Sequence, residues 1–285
     1  MARNRPPGYH TRLLSRALTT LRNRNGMTQD EAGHQIGIRP QKVSRIELGQ
    51  LPDILTLRAL LDIYNVPVSE YHEYEVIRQK AAARHWWNGL RRNDETYLSM
   101  EHEASRIRDV QTLHLPALLQ TDDYLTTRLT TAAYPPSTTR IGAELQALQH
   151  RCRLLDEHPV RLDALIYQPV LDAPLSRDQL THLLRRSEQD NITIQVVSHR
   201  QFHAGMDGSF TLLSFPDGSE PDLVYTRDPI GCRFTQDRLP VSNLRRTFRQ
   251  LAKSAMSPRD SRSYLMKRLT EVSADSARAR EIATS

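Results

Sequence analysis

The chain has 285 residues, 38% of them apolar and 25% charged, enough to bury a sizeable core and most naturally to make two domains. No run approaches 18 apolar residues, and the basic start Met-Ala-Arg-Asn-Arg-Pro-Pro-Gly lacks the apolar stretch of a secretory signal, so neither a bilayer span nor a membrane partner is expected. The formal net charge is +6, and residues 1–50 hold all of it, with nine Lys and Arg against three acids. A basic head on a neutral body is the footprint of phosphate-backbone binding, in which released counterions supply much of the affinity.

Residues 1–9 carry two prolines and no periodicity, which predicts a flexible basic arm whose Arg3 and Arg5 could reach a minor groove. From His10 to Asn25, Leu14, Ala17, Leu18 and Leu21 recur at helical spacing, and Gly26 ends that helix. Thr28 with Glu31 three residues on is a capping box, so a second helix should start at Gln29. Its buried side holds Ala32 and Ile36, and Gly37 is placed to end it in a left-handed conformation. Pro40 can open the next helix at its first position, where its missing amide costs nothing; Val43 and Ile46 give that helix an inner face, and Gly49 stops it. Two short helices so closely joined must cross steeply, which leaves Gln41, Lys42, Ser44 and Arg45 largely outside the core, as when a second helix enters the major groove of DNA. Pro52-Asp53 caps a helix carrying Leu57, Leu60, Leu61 and Tyr64, and a fifth begins near Ser69.

The run Thr28-Gln29, Gly37-Ile38, then Val43-Ser44-Arg45-Ile46-Glu47-x-Gly49 resembles the helix-turn-helix of the Cro and phage-repressor-like (XRE) family of bacterial transcription regulators, over roughly residues 12 to 72. The resemblance implies a phosphate or base-edge ligand at Gln29 and base contacts from the opening turns of the second helix at Gln41, Lys42 and Arg45. With Arg39, Pro40 and Ser44, which lie on the same opening, these are the candidate DNA-binding residues. The chain departs from the family at two positions. Gly33 stands where Ala is usual, at a propensity cost of up to about 1 kcal/mol. Arg39 replaces a Ser or Thr cap, and suits a phosphate contact better than capping.

Residues 73–92 hold an apolar and aromatic stripe, Tyr74, Ile77, Ala81 to Ala83, Trp86 and Trp87, which reads as a connecting helix, with dimer contact as a second use. Beyond it, residues 93–270 form a larger domain. Leu98, Glu101, Ala104 and Ile107 suggest a helix, Leu115-Pro116 a turn into another, and Ile141 to Glu157 a third. The pattern then becomes mixed: strand Leu162 to Tyr167, a helix from Ser176 to Gln189, strand Ile192 to Val197, and a hairpin from Gly208 to Thr226 turned at Pro216-Asp217-Gly218. Helices near Val241 to Met256 and Arg259 to Leu269 precede a flexible polar tail, residues 271–285. The fold class is therefore mainly α, a five-helix helix-turn-helix domain (residues 10–72) followed by a mixed α+β domain with three or four strands.

A second resemblance rests on Tyr97-x-x-x-Glu101-x-x-Ala104, on Leu115-Pro116-Ala117-Leu118-Leu119-Gln120-Thr121-x-x-Tyr124, and on Ile194-Gln195-Val196 with Gly208-x-Phe210. These are similar to the large C-terminal domain behind the same DNA-binding module in regulators of filamentous actinobacteria, often described as antitoxin-like and encoded beside a small partner protein. Ala117 replaces the usual Gly, Cys152 the Gln that follows Arg151, and Tyr167-Gln168 an Asp-Glu pair, which weakens any catalytic or metal role at 167 and 168.

Little else points to catalysis. His199 and His203 lack a third metal ligand nearby, Glu101-His102-Glu103 reads as an exposed helical triplet, and Cys152 and Cys232 stand outside metal-like spacing, as ordinary thiols of a cytoplasmic protein. No nucleophile elbow, phosphate-cradling Gly-rich loop or Cys-x-x-Cys is present. The expectation is a non-enzymatic, cytoplasmic regulator without cofactor or metal, nucleoid-associated through DNA. It would bind double-stranded DNA as a homodimer on a roughly palindromic operator, and be controlled by a small molecule or a small protein through the C-terminal domain. The alternatives are an antitoxin-like protein whose C-terminal domain binds a small protein partner, and an enzyme domain fused to a DNA-binding module.

Overall fold

The structure, a computed structural model, describes residues 7–83, 86–87, 92–158, 160–200, 208–218, 220–228 and 231–284, the side chains of 92–94 and 275–284 excepted. It divides into two units, Met1–Glu103 and Ala104–Ser285.

In the first unit, α1 (Tyr9–Arg24), α2 (Gln29–Gln35), α3 (Pro40–Glu47), α4 (Ile54–Ile63) and α5 (Tyr71–Ala82) enclose one core. Leu14, Leu18, Val43, Ile46, Leu57 and Leu61 are almost wholly withdrawn from water there. Each of the first four helices is stopped in the same local way. The chain turns through a left-handed residue, Gly26, Gly37, Gly49 or Asn65. The next amide then reaches back five residues: Met27 to Arg22 (3.2 Å), Ile38 to Gly33 (2.9 Å), Gln50 to Arg45 (2.7 Å) and Val66 to Leu61 (3.0 Å). Those bonds satisfy carbonyls that a helix end otherwise orphans.

Three expectations about this unit change. Tyr9 is buried at the start of α1, and a side chain on Gly49 would collide with the Pro7 ring, so the chain is already packed from Pro7 onward. Arg3 and Arg5 lie outside the described residues. The helix read over 73–92 is α5, which ends at Ala82 with Ala83 extended, and its Tyr71, Tyr74 and Ile77 pack on the unit's own core. After it comes α6 (Arg92–His102). The triplet read as exposed is not, since Glu101 is buried and Glu103 Oε1 lies 2.9 Å from His10 Nε2. Trp86 and Trp87 meet edge to face at 5.3 Å, and Trp87 is buried against the His102 ring.

The second unit is built on a six-stranded sheet of order β3-β2-β1-β4-β5-β6. Its strands are β1 (Arg106–Gln111), β2 (Arg161–Tyr167), β3 (Ile192–Val197), β4 (Phe210–Ser214), β5 (Leu223–Asp228) and β6 (Gly231–Thr235). β1, β2 and β3 run parallel, with α7 (Asp122–Thr130) and α8 (Thr138–Glu157) between the first two. Between β2 and β3 lie α9 (Gln168–Asp172) and α10 (Arg177–Arg186); β4 to β6 complete the sheet in antiparallel fashion. Leu162 to Ile166 are all buried, four apolar residues with Asp163 among them, as in a strand covered on both faces, and Asp163 is answered by Arg106 at 2.6 Å. Phe248 and Leu251 of α11 (Arg238–Ser254) pack on Val110, Leu165, Val197 and Phe210. α12 (Pro258–Thr284) blocks the β3 edge: the Ser261 hydroxyl accepts from the Val196 amide (2.9 Å), while the Met256 amide, just before the helix, donates to the Val196 carbonyl (2.9 Å). An edge bonded in this way offers no template for a further strand.

Here too the structure differs from expectation. Ile107 lies in β1, not in a helix with Leu98 and Glu101, the sheet has six strands, and α12 continues through the polar tail to Thr284. The Leu-Leu-Gln-Thr-x-x-Tyr motif is a hydrogen-bonded joint. Gln120 Nε2 donates to the Leu115 carbonyl (2.6 Å), the Tyr124 hydroxyl accepts from the Leu115 amide (3.2 Å), and Thr121 caps α7. Gln179 of α10 locks it, accepting from the Thr121 amide (2.8 Å) and donating to the Leu119 carbonyl (2.8 Å). Gln179→Leu therefore leaves an enclosed donor and acceptor unpaired, and denaturation should show a loss of about 2 to 4 kcal/mol. A loss below about 0.5 kcal/mol, no more than a surface change gives, would refute this role.

Candidate nucleic-acid interface

The interface is built from the start of α2 upward. Thr28 Oγ1 accepts from the Glu31 amide (3.2 Å), and the Glu31 carboxylate accepts from the Thr28 amide (2.8 Å), which holds its pKa below the usual value. α2 lasts seven residues, the chain turns through the left-handed Gly37, and it enters α3 through Arg39, whose side chain makes no capping bond, and Pro40 at the first turn. Gly33 explains how the two helices come so close. A Cβ there would sit 2.8 Å from the Ile38 carbonyl oxygen and 3.2 Å from the Pro40 nitrogen, both backbone atoms. Overpacking costs about 1 to 3 kcal/mol, against up to about 1 kcal/mol of helix propensity gained from Ala. Gly33→Ala should therefore lower stability by about 1 kcal/mol net; a variant more stable than the parent in denaturant melts would contradict the close approach.

α3 is held at its far end by a network that the sequence reading missed. Glu47 accepts from Arg22 Nε (2.6 Å) and Nη2 (3.1 Å) of α1, and from Gln29 Nε2 (2.7 Å) of α2, with the Arg22 and Glu47 side chains only 12% and 8% exposed. Arg22 Nη1 also donates to the Met27 carbonyl (2.6 Å), and the buried Ser15 hydroxyl donates to that of Ile46 (2.7 Å). Glu47 thus ties three helices together. The signal available was an acid closing the Ser-Arg-Ile-Glu run and an arginine on α1, but nothing in spacing alone pairs residues 25 apart.

The candidate residues fall into two sets. Arg39 at the N-cap, Gln41 in the first turn and Arg45 in the last turn of α3 are exposed, Arg45 Nε resting on the Gln41 carbonyl at 3.2 Å. Gln29, Pro40, Lys42 and Ser44 are half-buried. Gln29 spends one amide hydrogen on Glu47, and Lys42 Nζ reaches Thr56 Oγ1 (3.1 Å) and Asp53 Oδ2 (3.4 Å) at the start of α4. Asp53 caps α4 by accepting from the Thr56 amide (2.8 Å), the bond chiefly responsible for holding its carboxyl down to about 2, so it is an anion beside Lys42 at neutral pH.

In the second unit, an open cavity of about 370 Å³ is lined by Thr121, Asp122, Asp123, Gln149, Cys152 and His182 among others. Burial and the nearby Arg186 and Arg185 push the His182 pKa down to about 4. Arg185 Nη2 lies 3.2 Å from His182 Nδ1 and can only donate, so Nδ1 accepts and Nε2 carries the proton. That imidazole has no lone pair left to take a proton from Cys152. Among the described residues no group of three or more His, Cys, Asp and Glu is placed to hold a metal ion, and no helix is long and apolar enough to cross a membrane. His203 lies outside the described residues.

Residues 18–71 match the helix-turn-helix family model, the class that the fold and the exposed face of α3 define, that of a DNA-binding regulator. Residues 94–267, more than half of the chain, match the family described as domain of unknown function DUF5753, and the chain belongs to that family. No curated protein and no solved structure matches the chain.

Proposed function

We propose that this chain is a sequence-specific transcriptional regulator that binds a roughly palindromic operator as a homodimer, with its activity controlled through the second domain. The observation that carries this reading is the division of α3, whose Val43 and Ile46 are buried while Arg39, Gln41 and Arg45 stand in solvent along it. Gln41 and Arg45 read base edges, Arg39 binds phosphate, and Pro40 and Ser44 bring the helix backbone close to the duplex. Lys42 exchanges its contact with Asp53 for a phosphate, and Gln29 offers its second amide hydrogen from the start of α2. In the cell such a protein is cytoplasmic and nucleoid-associated through DNA.

One module covers too little DNA for tight recognition, whereas two related by a two-fold axis reach half-sites about 34 Å apart. Selection of duplexes from a random pool by the full chain should yield an inverted repeat, and sedimentation should show a dimer on that duplex, with contacts from the region after residue 70. A monomer at micromolar concentration, both free and on the selected DNA, would reject the dimer.

A domain of nearly 200 residues exceeds what dimerisation requires, which supports a control input from a small molecule or a small protein. The second reading is an antitoxin-like protein whose second domain binds a small protein partner. Catalysis is disfavoured by His182, whose free nitrogen is spent on Arg185 beside the one thiol of the cavity lining. Operator release by a low-mass cell fraction indicates a metabolite, and release only by a protein fraction indicates the partner.

A further inference from the structure

α11 covers the sheet with one side and turns the other to water. Val241, Phe248 and Leu251 are buried, with Leu244 and Ala252 packed beside them, while Arg238, Arg245, Arg246, Arg249 and Lys253 are all exposed. At 3.6 residues per turn, Arg238, Arg245, Arg249 and Lys253 fall on one line along the helix, and Arg246 lies next to it. The stripe is about 22 Å long at a rise of about 1.5 Å per residue. Asp222 answers Arg245. The side chains of Arg238, Arg246, Arg249 and Lys253 make no ion pair or hydrogen bond among the described residues.

Exposed bases are ordinary where acids are interleaved with them, but the 17 residues of α11 hold five cations and no acid. Arg249 stands four residues from Arg245 and from Lys253 and three from Arg246, so like charges meet at each of these helical neighbours, which works against the helix. The excess is also local. Residues 104–285 hold 24 Lys and Arg against 21 acids, a net of +3, so the five cations of α11 leave the rest of the second unit at −2.

The neighbours of these cations say which polyanion fits. Beyond the first turn the other exposed side chains of α11 are Ser242, Asn243, Gln250 and Ser254, and its exposed large apolar residue, Leu239, lies in that first turn. A protein interface is centred on buried apolar or aromatic side chains, which the stripe lacks. Phosphate oxygens of DNA take Arg and Lys with Ser, Asn and Gln beside them, and need no apolar anchor. A duplex carries one negative charge per about 1.7 Å of its axis, so a stripe of this length meets several.

We propose that the outer face of α11 is a second, sequence-independent DNA contact, in which Arg246, Arg249 and Lys253 lie on phosphates of the bound duplex. This rests on the reading that the chain binds DNA through α3, and it adds the second unit to the interface.

The test is fluorescence anisotropy of the full chain on the selected duplex and on a scrambled one, across a range of salt concentrations. The triple variant Arg246→Gln, Arg249→Gln, Lys253→Gln changes only exposed side chains and removes their repulsion, so it should melt no lower than the parent. The slope of log affinity against log salt should become shallower by about 2 to 3, since each phosphate contact contributes about 0.9, and Arg249→Gln alone should take away about 1. At about 0.1 M salt the triple variant should bind both duplexes at least about tenfold more weakly, with the ratio between them unchanged. A control that removes the same charge from exposed sites elsewhere on the unit, Arg153→Gln, Arg177→Gln, Lys267→Gln, should keep the parent's slope. A parent that binds neither duplex overturns both readings. A parent that prefers the selected duplex, with slope and affinity unchanged in the triple variant or lowered as much in the control, overturns this one alone. Poly-L-glutamate bound by the parent and lost by the triple variant, with the DNA slope unchanged, would give the face to an acidic protein and also overturn it.

Discussion

Arg22→Met is expected to destabilise the first unit by about 3 to 5 kcal/mol, the cost of leaving one partner of a largely buried ion pair alone. Glu47 would then be anionic at 8% exposure with only the Gln29 amide to answer it, and the Met27 carbonyl would lose its donor as well. Because Glu47 closes α3, the loss falls on the helix that faces DNA. Amide hydrogen exchange resolved on α1 to α3 measures it directly in the full chain, where a global melt mixes the two units. The double variant Arg22→Met with Glu47→Leu should recover most of the loss, since an apolar pair of similar volume is often as stable as a buried ion pair. A loss below about 1 kcal/mol, the range of an exposed pair, would show that the pair does not hold α3.

The helix-turn-helix was legible because its signals are local. A Thr and a Glu three apart, a Gly at each stop and a Pro at a helix start act within one turn of chain, and the structure shows the same residues in those roles. Arg39 was rightly denied a capping role, and Gly33 was weighed only as a propensity cost because the Ile38 carbonyl beneath it is visible only in three dimensions. The tyrosine stripe after residue 70 was legible as buried surface, yet what it packs on was not.

β1 was missed for a different reason. Arg106, Arg108 and Asp109 look like a solvated helix edge, but their charges are settled across the sheet. Arg106 bonds Asp163 at 2.6 Å, Arg108 Nη1 donates to Ser214 Oγ at 2.9 Å with Asp222 4.0 Å away, and Asp109 accepts from Thr211 at 3.1 Å. Partners from 57 residues distant, for Arg106 and Asp163, to as far as Asp222 is from Arg108 leave no periodic mark on a strand. β6, Gly231-Cys232-Arg233-Phe234-Thr235, is a half-exposed edge with a single large apolar residue, which gives little alternation to read. By contrast β2, apolar but for Asp163, and the Ser176 cap of α10 were visible, since an apolar strand and a hydroxyl accepting from the Gln179 amide are written in adjacent residues.

The central claim is that α3 reads DNA through its exposed side chains, and replacing Gln41 and Arg45 together with Ala tests it most directly. Neither side chain supports the core, so the variant should melt with the parent, and Arg39 and Lys42 still supply charge for backbone binding. Each base-reading side chain is worth about 1 to 3 kcal/mol of discrimination, so losing both should cut the ratio of specific to non-specific affinity by about 30-fold or more. The measurement is fluorescence anisotropy on the selected duplex and on a scrambled one, with parent and variant at one fixed salt concentration, because non-specific affinity varies steeply with salt. A variant that binds both duplexes with the parent's non-specific affinity fits the account; one that keeps the parent's specificity ratio contradicts it.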